Sequence, residues 1–448
     1  MRDYRDEACQ VNRQIPSPVY MWALTWVLLY PLLYFSARGM FSFDRAQYSN
    51  NAGAEVSSTV ASSSETMQFR VERFAAYGVI LLVIGLSFRG TITVARRNSI
   101  VLALPILAGV STLWSQDKAK TATMALMVTF LTAFSIYLCR RFKRDDLIAL
   151  LNLVGMAAVL MSYLMIAFVP SAGIRNTDGV RAWQGLFVHK NYLGMVMVFF
   201  FSTAYYAPKR ATLTRSLNFI YMAAIFILIV MSLSRTAWLE CALLILYFVF
   251  EANYIQLRHM ERIVAMTTVA VIAVGMIVVA ANYGGDIAVA MGKTSDMTGR
   301  AGIFEALYPE LWKRPVWGFG YQAFFLGLKG ESANLMLTPG HSGLTNAENG
   351  ILQMWLELGV VGTAVTLFLL LQSLINAKVC LANGPSRFIR WNCSIIFLSL
   401  LSAVNGEKFM FPDTVEWLFF VVAYISLKES ARDIRDSANT PRPLAWAS

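Results

Sequence analysis

Charge is scarce along these 448 residues: 15% are Asp, Glu, Lys or Arg, against 57% that are hydrophobic. A water-soluble globule of this size needs far more polar surface, so an ordinary soluble domain is excluded. Histidine is rarer still, and His189, His259 and His341 are too dispersed to suggest a metal cluster. The five cysteines, Cys9, Cys139, Cys241, Cys380 and Cys393, have no paired or metal-like spacing, so neither a disulfide framework nor a zinc site is indicated. The first apolar run lacks a convincing small-residue cleavage site and is expected to stay as a membrane anchor.

What the chain has instead is apolar length. Mean hydropathy is +0.53, and 13% aromatic residues with 11 Trp fit rings placed at the headgroup level of a bilayer. The net charge of +11 would suggest nucleic acid in a soluble protein. In a membrane protein it follows from Lys and Arg in cytoplasmic loops, and no nucleic-acid partner is expected. A helix needs about 20 apolar residues to cross the hydrocarbon. Such runs lie near 19–37, 74–89, 98–114, 121–139, 147–169, 187–207, 216–233, 236–251, 263–281, 347–372, 390–404 and 416–427. Because an open sheet cannot satisfy its backbone in lipid, they predict an all-α polytopic membrane protein of about 12 transmembrane helices.

Orientation follows from alternate loops. Arg2, Arg5 and Arg13, then Arg89, Arg96 and Arg97, then Arg140, Arg141, Lys143 and Arg144, open a basic series that recurs to the C-terminus. The opposite loops are sparser, so the basic series and both termini face the cytoplasm. This divides the chain into a cytoplasmic tail (1–18), helices one to nine (19–281), a large external loop with short helices and catalytic elements (282–346), helices ten to twelve (347–427) and a cytoplasmic tail (428–448). A second external loop, 38–73, is Ser-rich and expected to be disordered.

The residues able to do chemistry collect on the outer face. Arg181 precedes the sixth span, and His189-Lys190-Asn191 stand at its outer end. Arg235 lies in the tight external turn SLSRTAW, where its planar donors suit a diphosphate; the plainer alternative is an interfacial snorkelling arginine. Arg300 opens RAGIFEALYPELW, whose Ile303, Leu307 and Leu311 form an apolar stripe on a short helix interrupted or kinked at Pro309. That helix is expected along the outer interface, with Arg300 in its first turn, and the alternative is a merely solvated arginine. Glu348, in TNAENGILQ, reads either as a general base or as a carboxylate serving the helix dipole, with Asn346 or Thr345 as the cap. Glu357, nine residues on, falls on nearly the opposite face and is not its partner. His341, in TPGHSG, is the other candidate base.

Five stretches resemble the superfamily of O-antigen ligases and O-antigen or exopolysaccharide polymerases. They are STLWSQDKAKTATMAL (111–126), RAWQGLFVHKNYLG (181–194), SLSRTAWL (232–239), TGRAGIFEALYPELWKRPVWGFGYQAF (298–324) and NAENGILQMWLELGVVG (346–362). The resemblance implies a GT-C type membrane glycosyltransferase of the bacterial inner membrane, with its active face in the periplasm. It implies no cofactor and no metal. The donor would be a polyprenyl-diphosphate-linked glycan, the acceptor another glycan, and the further partners the lipid bilayer and a chain-length regulator. Arg235 and Arg300 would hold the diphosphate; Lys190 and Arg181 are expected to assist them, and His189 and His341 are further candidate substrate-binding residues. Where the family usually has His-Asn, this chain has Glu348-Asn349, so the base is either Glu348 or His341; Glu348 is preferred because a helix start fixes it. The STLWS and HKN stretches look more like polymerases than like ligases to lipid A core or protein. A flippase of lipid-linked sugars is the more distant alternative, disfavoured by spans nearly free of charge.

Overall fold

The computed structural model describes residues 18–37, 67–177, 180–208, 212–254, 299–337, 346–405 and 409–439. Its helices of six residues or more are α1 (Pro18–Ala37), α2 (Met67–Leu86), α3 (Phe88–Arg97), α4 (Ala103–Val110), α5 (Lys118–Arg141), α6 (Arg144–Phe168), α7 (Lys190–Tyr205), α8 (Thr212–Met231) and α9 (Arg235–Tyr254). After them come α10 (Gly299–Lys313), α11 (Ser332–Leu337), α12 (Gly350–Ala382), α13 (Arg387–Asn405) and α14 (Val415–Asn439).

Eleven of the twelve apolar runs coincide with helical segments, and the run at 263–281 lies outside the described residues. A count of twelve spans does not follow. Among the described residues four helices are long and apolar enough to cross a membrane, or five if α2 and α3, which meet at 89°, form one broken span. Three departures account for part of the difference. The run at 98–114 is split into two 3-10 turns around α4, the run at 74–89 bends at Ser87, and α1 and α8 fall short in apolar length. The expected 38–73 loop is also shortened, since α2 begins at Met67, and the rest of it lies outside the described residues. The architecture is helical as expected, with one small addition: Ile174–Thr177 (β1) and Val180–Trp183 (β2) form an antiparallel hairpin, with Asn176 opposite Arg181.

Local chemistry sets several helix ends. Asp117 caps α5 by accepting the Lys120 N–H at 3.0 Å, and Arg140 and Arg141 close it. Asp145 and Asp146 occupy the first turn of α6, the favourable end of its dipole.

The core is built around α14, whose residues Val415–Ile425 are all buried. Trp417 Nε1 donates to Thr132 Oγ1 of α5 at 2.9 Å, the Phe419 ring lies 5.4 Å from Phe199 of α7, and Tyr424 bonds Gln372 of α12. Trp391 of α13 completes the ring of neighbours, 6.3 Å from Phe419. A helix surrounded by helices needs no polar face, which is why this one reads as a short uniform apolar run. By contrast α12 exposes Leu367, Phe368, Leu371, Leu374 and Ile375 along one side, where lipid is the natural cover.

Candidate functional site

Gly359 divides α12. Its φ of 67° and ψ of −166° break the helix, leaving a short N-terminal segment (350–358) with no exposed residue and a longer C-terminal one that bears the exposed apolar face. A break in an apolar helix strands backbone groups, and lipid cannot satisfy them. Here the loop after α10 does so. Phe319 and Gly320 N–H donate to the Leu356 and Glu357 carbonyls at 2.9 Å each, and Val360 N–H reaches the Pro315 carbonyl at 2.8 Å. The approach is close enough that a methyl group at Gly359 would lie 2.1 Å from the Val316 oxygen, and one at Gly318 2.6 Å from the Glu357 carbonyl.

The STLWSQ stretch locks onto the same loop. Gln116 N–H donates to the Phe319 carbonyl at 3.2 Å, Tyr321 N–H to Ser111 Oγ at 3.0 Å, and Thr121 Oγ1 to the Tyr321 carbonyl at 2.8 Å. Trp114 Nε1 bonds the Trp317 carbonyl at 3.0 Å, and Arg314 lies over the Phe319 ring at 5.3 Å. A shallow cleft of about 330 Å³ runs between Trp114, Arg314 and Trp317. Three stretches far apart in sequence thus form one body.

The apolar stripe of α10 packs into this body. Leu307 and Leu311 are buried with Phe319, Phe324, Leu335, Ala347 and Leu356, and Ile303 rests against them. The helix runs unbroken through Pro309, which is exposed, so the expected interruption does not occur. Its buried face meets protein rather than the bilayer surface. Arg300 is the second residue of α10 by its backbone; its side chain lies outside the described residues, as does His341.

Glu348 is half-buried just before α12, and the cap is neither Asn346 nor Thr345. Asn349 caps the helix, accepting the Ile351 and Leu352 N–H groups at 3.0 Å each, so Glu348 precedes the helix. Asn346 Oδ1 instead accepts the Glu348 N–H at 2.7 Å, and Glu348 adopts φ 51°. Left-handed backbone is costly for a residue with a Cβ and persists where the surroundings impose it. Among the described non-glycine residues only Leu233, Gln322 and Glu348 show it. Leu233 is two positions from Arg235, Gln322 lies in the loop docked on α12, and Glu348 is the candidate base.

Arg235 is exposed at the first position of α9, after a turn in which Ser232 Oγ donates to the Ile229 carbonyl at 2.7 Å and Ala237 N–H reaches Ser234 Oγ at 3.4 Å. The turn sits on the start of α7. A methyl group at Gly194 would come within 2.6 Å of Ala237 Cβ and 2.9 Å of Ser232 Oγ. The HKN and SLSR stretches therefore meet, and two helix N-termini, carrying Lys190 and Arg235, share one end of the bundle. His189 caps α7, its Nδ1 accepting the Asn191 N–H at 3.2 Å. Arg181 is exposed on β2, near α8.

The C-terminal end of α13 lies between α9 and Glu348. Asn349 Nδ2 donates to the Val404 carbonyl at 2.9 Å, and Gly350 faces the Ala403 oxygen. Beside them Glu240 of α9, fully buried, neighbours Ser402 without a well-formed hydrogen bond to it. The spans are therefore less free of charge than their hydropathy implied, since Glu240 and Glu357 are both buried. Neither carboxylate is given a role by the sequence reading; a charge inside an apolar run is the signal that marks them.

No curated protein matches the chain. Residues 220–367 match the family model described as O-antigen ligase, a stretch that takes in SLSRTAWL, α10, the docked loop, Glu348 and the Gly359 break. The match covers about a third of the chain and makes that stretch similar to the O-antigen ligase family.

Proposed function

We propose that the protein is a polymerase that joins polyprenyl-diphosphate-linked oligosaccharide repeat units into exopolysaccharide or O-antigen on the periplasmic face of the inner membrane. The observation that carries this reading is the convergence at the outer end of α13. There the Arg235 turn and the Glu348 turn, each with left-handed backbone at a non-glycine residue, lie on neighbouring elements.

The placement of α10 supports a role for Arg300. Trp312 packs 6.0 Å from Trp355, and Leu311, Leu307 and Ile303 belong to a cluster that also holds Ala347 and Leu356. Arg300 then stands about one turn beyond Ile303, on the Glu348 side. In the proposed reaction Arg235 and Arg300 bind the diphosphate, with Arg181, His189, Lys190 and His341 around the glycan. Glu348 takes the proton of an acceptor hydroxyl, whose oxygen attacks the anomeric carbon. The bond from that carbon to the diphosphate oxygen breaks, the carbon is inverted, and polyprenyl diphosphate leaves with its charge held by the guanidinium groups. No metal takes part in this scheme.

Purified protein incubated with one defined lipid-linked repeat unit, without added metal, should yield a ladder of polymer. A single transfer to lipid A core or to protein, with no ladder, would make it a ligase. Arg235→Ala and Arg300→Ala should abolish the ladder while the protein stays in the membrane; normal polymer from both rejects their role.

A further inference from the structure

Glu357 is 1% exposed, deep beneath the Glu348 turn, and a buried carboxylate needs donors on both oxygens. Gln353 Nε2 bonds one oxygen, and Gln322 Nε2 reaches the other at 3.3 Å. The Gln353 amide is thereby oriented, with its Oε1 turned the opposite way. That oxygen accepts the Ala347 N–H at 2.9 Å, in the residue before Glu348. An amide reversed at Gln353 would set N–H against N–H at Ala347.

From this chain of bonds we infer that Glu357 is a positioning residue for Glu348, acting through Gln353 to hold the 346–349 turn in its left-handed form. The inference rests on the polymerase reading for its effect on turnover, though the hold on the turn can be measured without any substrate. Gln322 carries the link onward, since it belongs to the loop that patches the Gly359 break and itself has φ 57°. The loop, the break and the Glu348 turn are then coupled through one acceptor.

In Glu357→Leu both amides lose this acceptor, whereas in the exchange Gln353→Glu with Glu357→Gln the three hydrogen bonds from Ala347, between positions 353 and 357, and from Gln322 are regained. The carboxylate, now at position 353, accepts from the Ala347 N–H and from the amide moved to position 357, whose oxygen accepts from Gln322. Hydrogen exchange of the full-length protein in detergent, read over 346–352, should rise about tenfold in Glu357→Leu. Turnover of the lipid-linked repeat should fall about tenfold with KM unchanged. The double exchange should restore both. Gln353→Leu, which leaves Glu357 in place, should copy the single variant and covers the case in which Glu357→Leu does not fold. Unaltered exchange in folded Glu357→Leu or Gln353→Leu, or a double exchange no better than Glu357→Leu, overturns the positioning role. Faster exchange with undiminished turnover instead overturns the base assigned to Glu348 while the hold on the turn stands.

Discussion

At Arg235 the distinction between a cation and a planar fork becomes measurable. The short turn fixes its backbone, with Ser232 and Ser234 buried and Leu233 held at φ 51°, so the guanidinium is displayed from a rigid base. Lysine would keep the charge but present a compact ammonium instead of paired donors. Arg235→Lys is therefore expected to lose about 10²-fold in turnover, the scale of removing one donor from a developing charge. Initial rates with a lipid-linked repeat measure it, and a wild-type rate would mean that charge alone suffices. For the base, Glu348→Gln is expected to lose about 10²-fold or more, and His341→Ala little, in the same assay. Full activity of the Gln variant removes Glu348 from the mechanism. Sequence made Arg235 visible because a charge in a two-helix turn has nowhere else to go. It did not reveal that Asn349 is the cap, since the run from Thr345 to Asn349 includes several residues able to cap and only the chain path chooses among them.

Among the elements, α12 shows how a break can be made stable. Its first segment is buried in the body formed with the 315–320 loop and its second carries the exposed apolar face, and the backbone bonds lost at Gly359 are replaced by that loop. Gly359→Ala meets both a left-handed φ and the Val316 oxygen at 2.1 Å, so the loop must retreat. A loss of about 3 kcal/mol or more is expected, read as a lowered thermal midpoint of the solubilised protein. Gly78→Ala is the contrast: nothing lies within 4 Å of the added methyl group, and the helix propensity of alanine should change stability by no more than about 1 kcal/mol. Equal behaviour of the two variants would show that the docked loop does not hold the break. In α10 the stripe at 303, 307 and 311 was legible from spacing alone. Its partner was not, because an apolar stripe has the same pattern whether it faces lipid or a protein groove.

For the whole molecule the inside and outside assignments are open to labelling. Lys329, exposed in the loop after α10, and Lys143, exposed between α5 and α6, should fall on opposite faces. As single cysteine substitutions in intact cells with a permeable outer membrane, Lys329→Cys should react with an impermeant maleimide and Lys143→Cys only after the inner membrane is opened. Reversed reactivity would invert the topology and place the proposed site in the cytoplasm.

Hydropathy by itself determined that this chain lives in a membrane as helices, where its apolar runs lie, and which loops carry the excess of Lys and Arg, because the cost of placing polar groups in hydrocarbon acts on each segment alone. It could not number the spans, since a run broken at Ser87 or Gly359 has the same composition as one that continues. Only the tertiary structure decided that residues 111–121, 315–322 and 353–361 form one body, and that Glu240 of α9 and Asn349 both meet the end of α13. The reason is physical: backbone hydrogen bonds across a broken helix and the acceptor shared by Gln322 and Gln353 depend on which segments approach, and that approach is a property of the packed bundle.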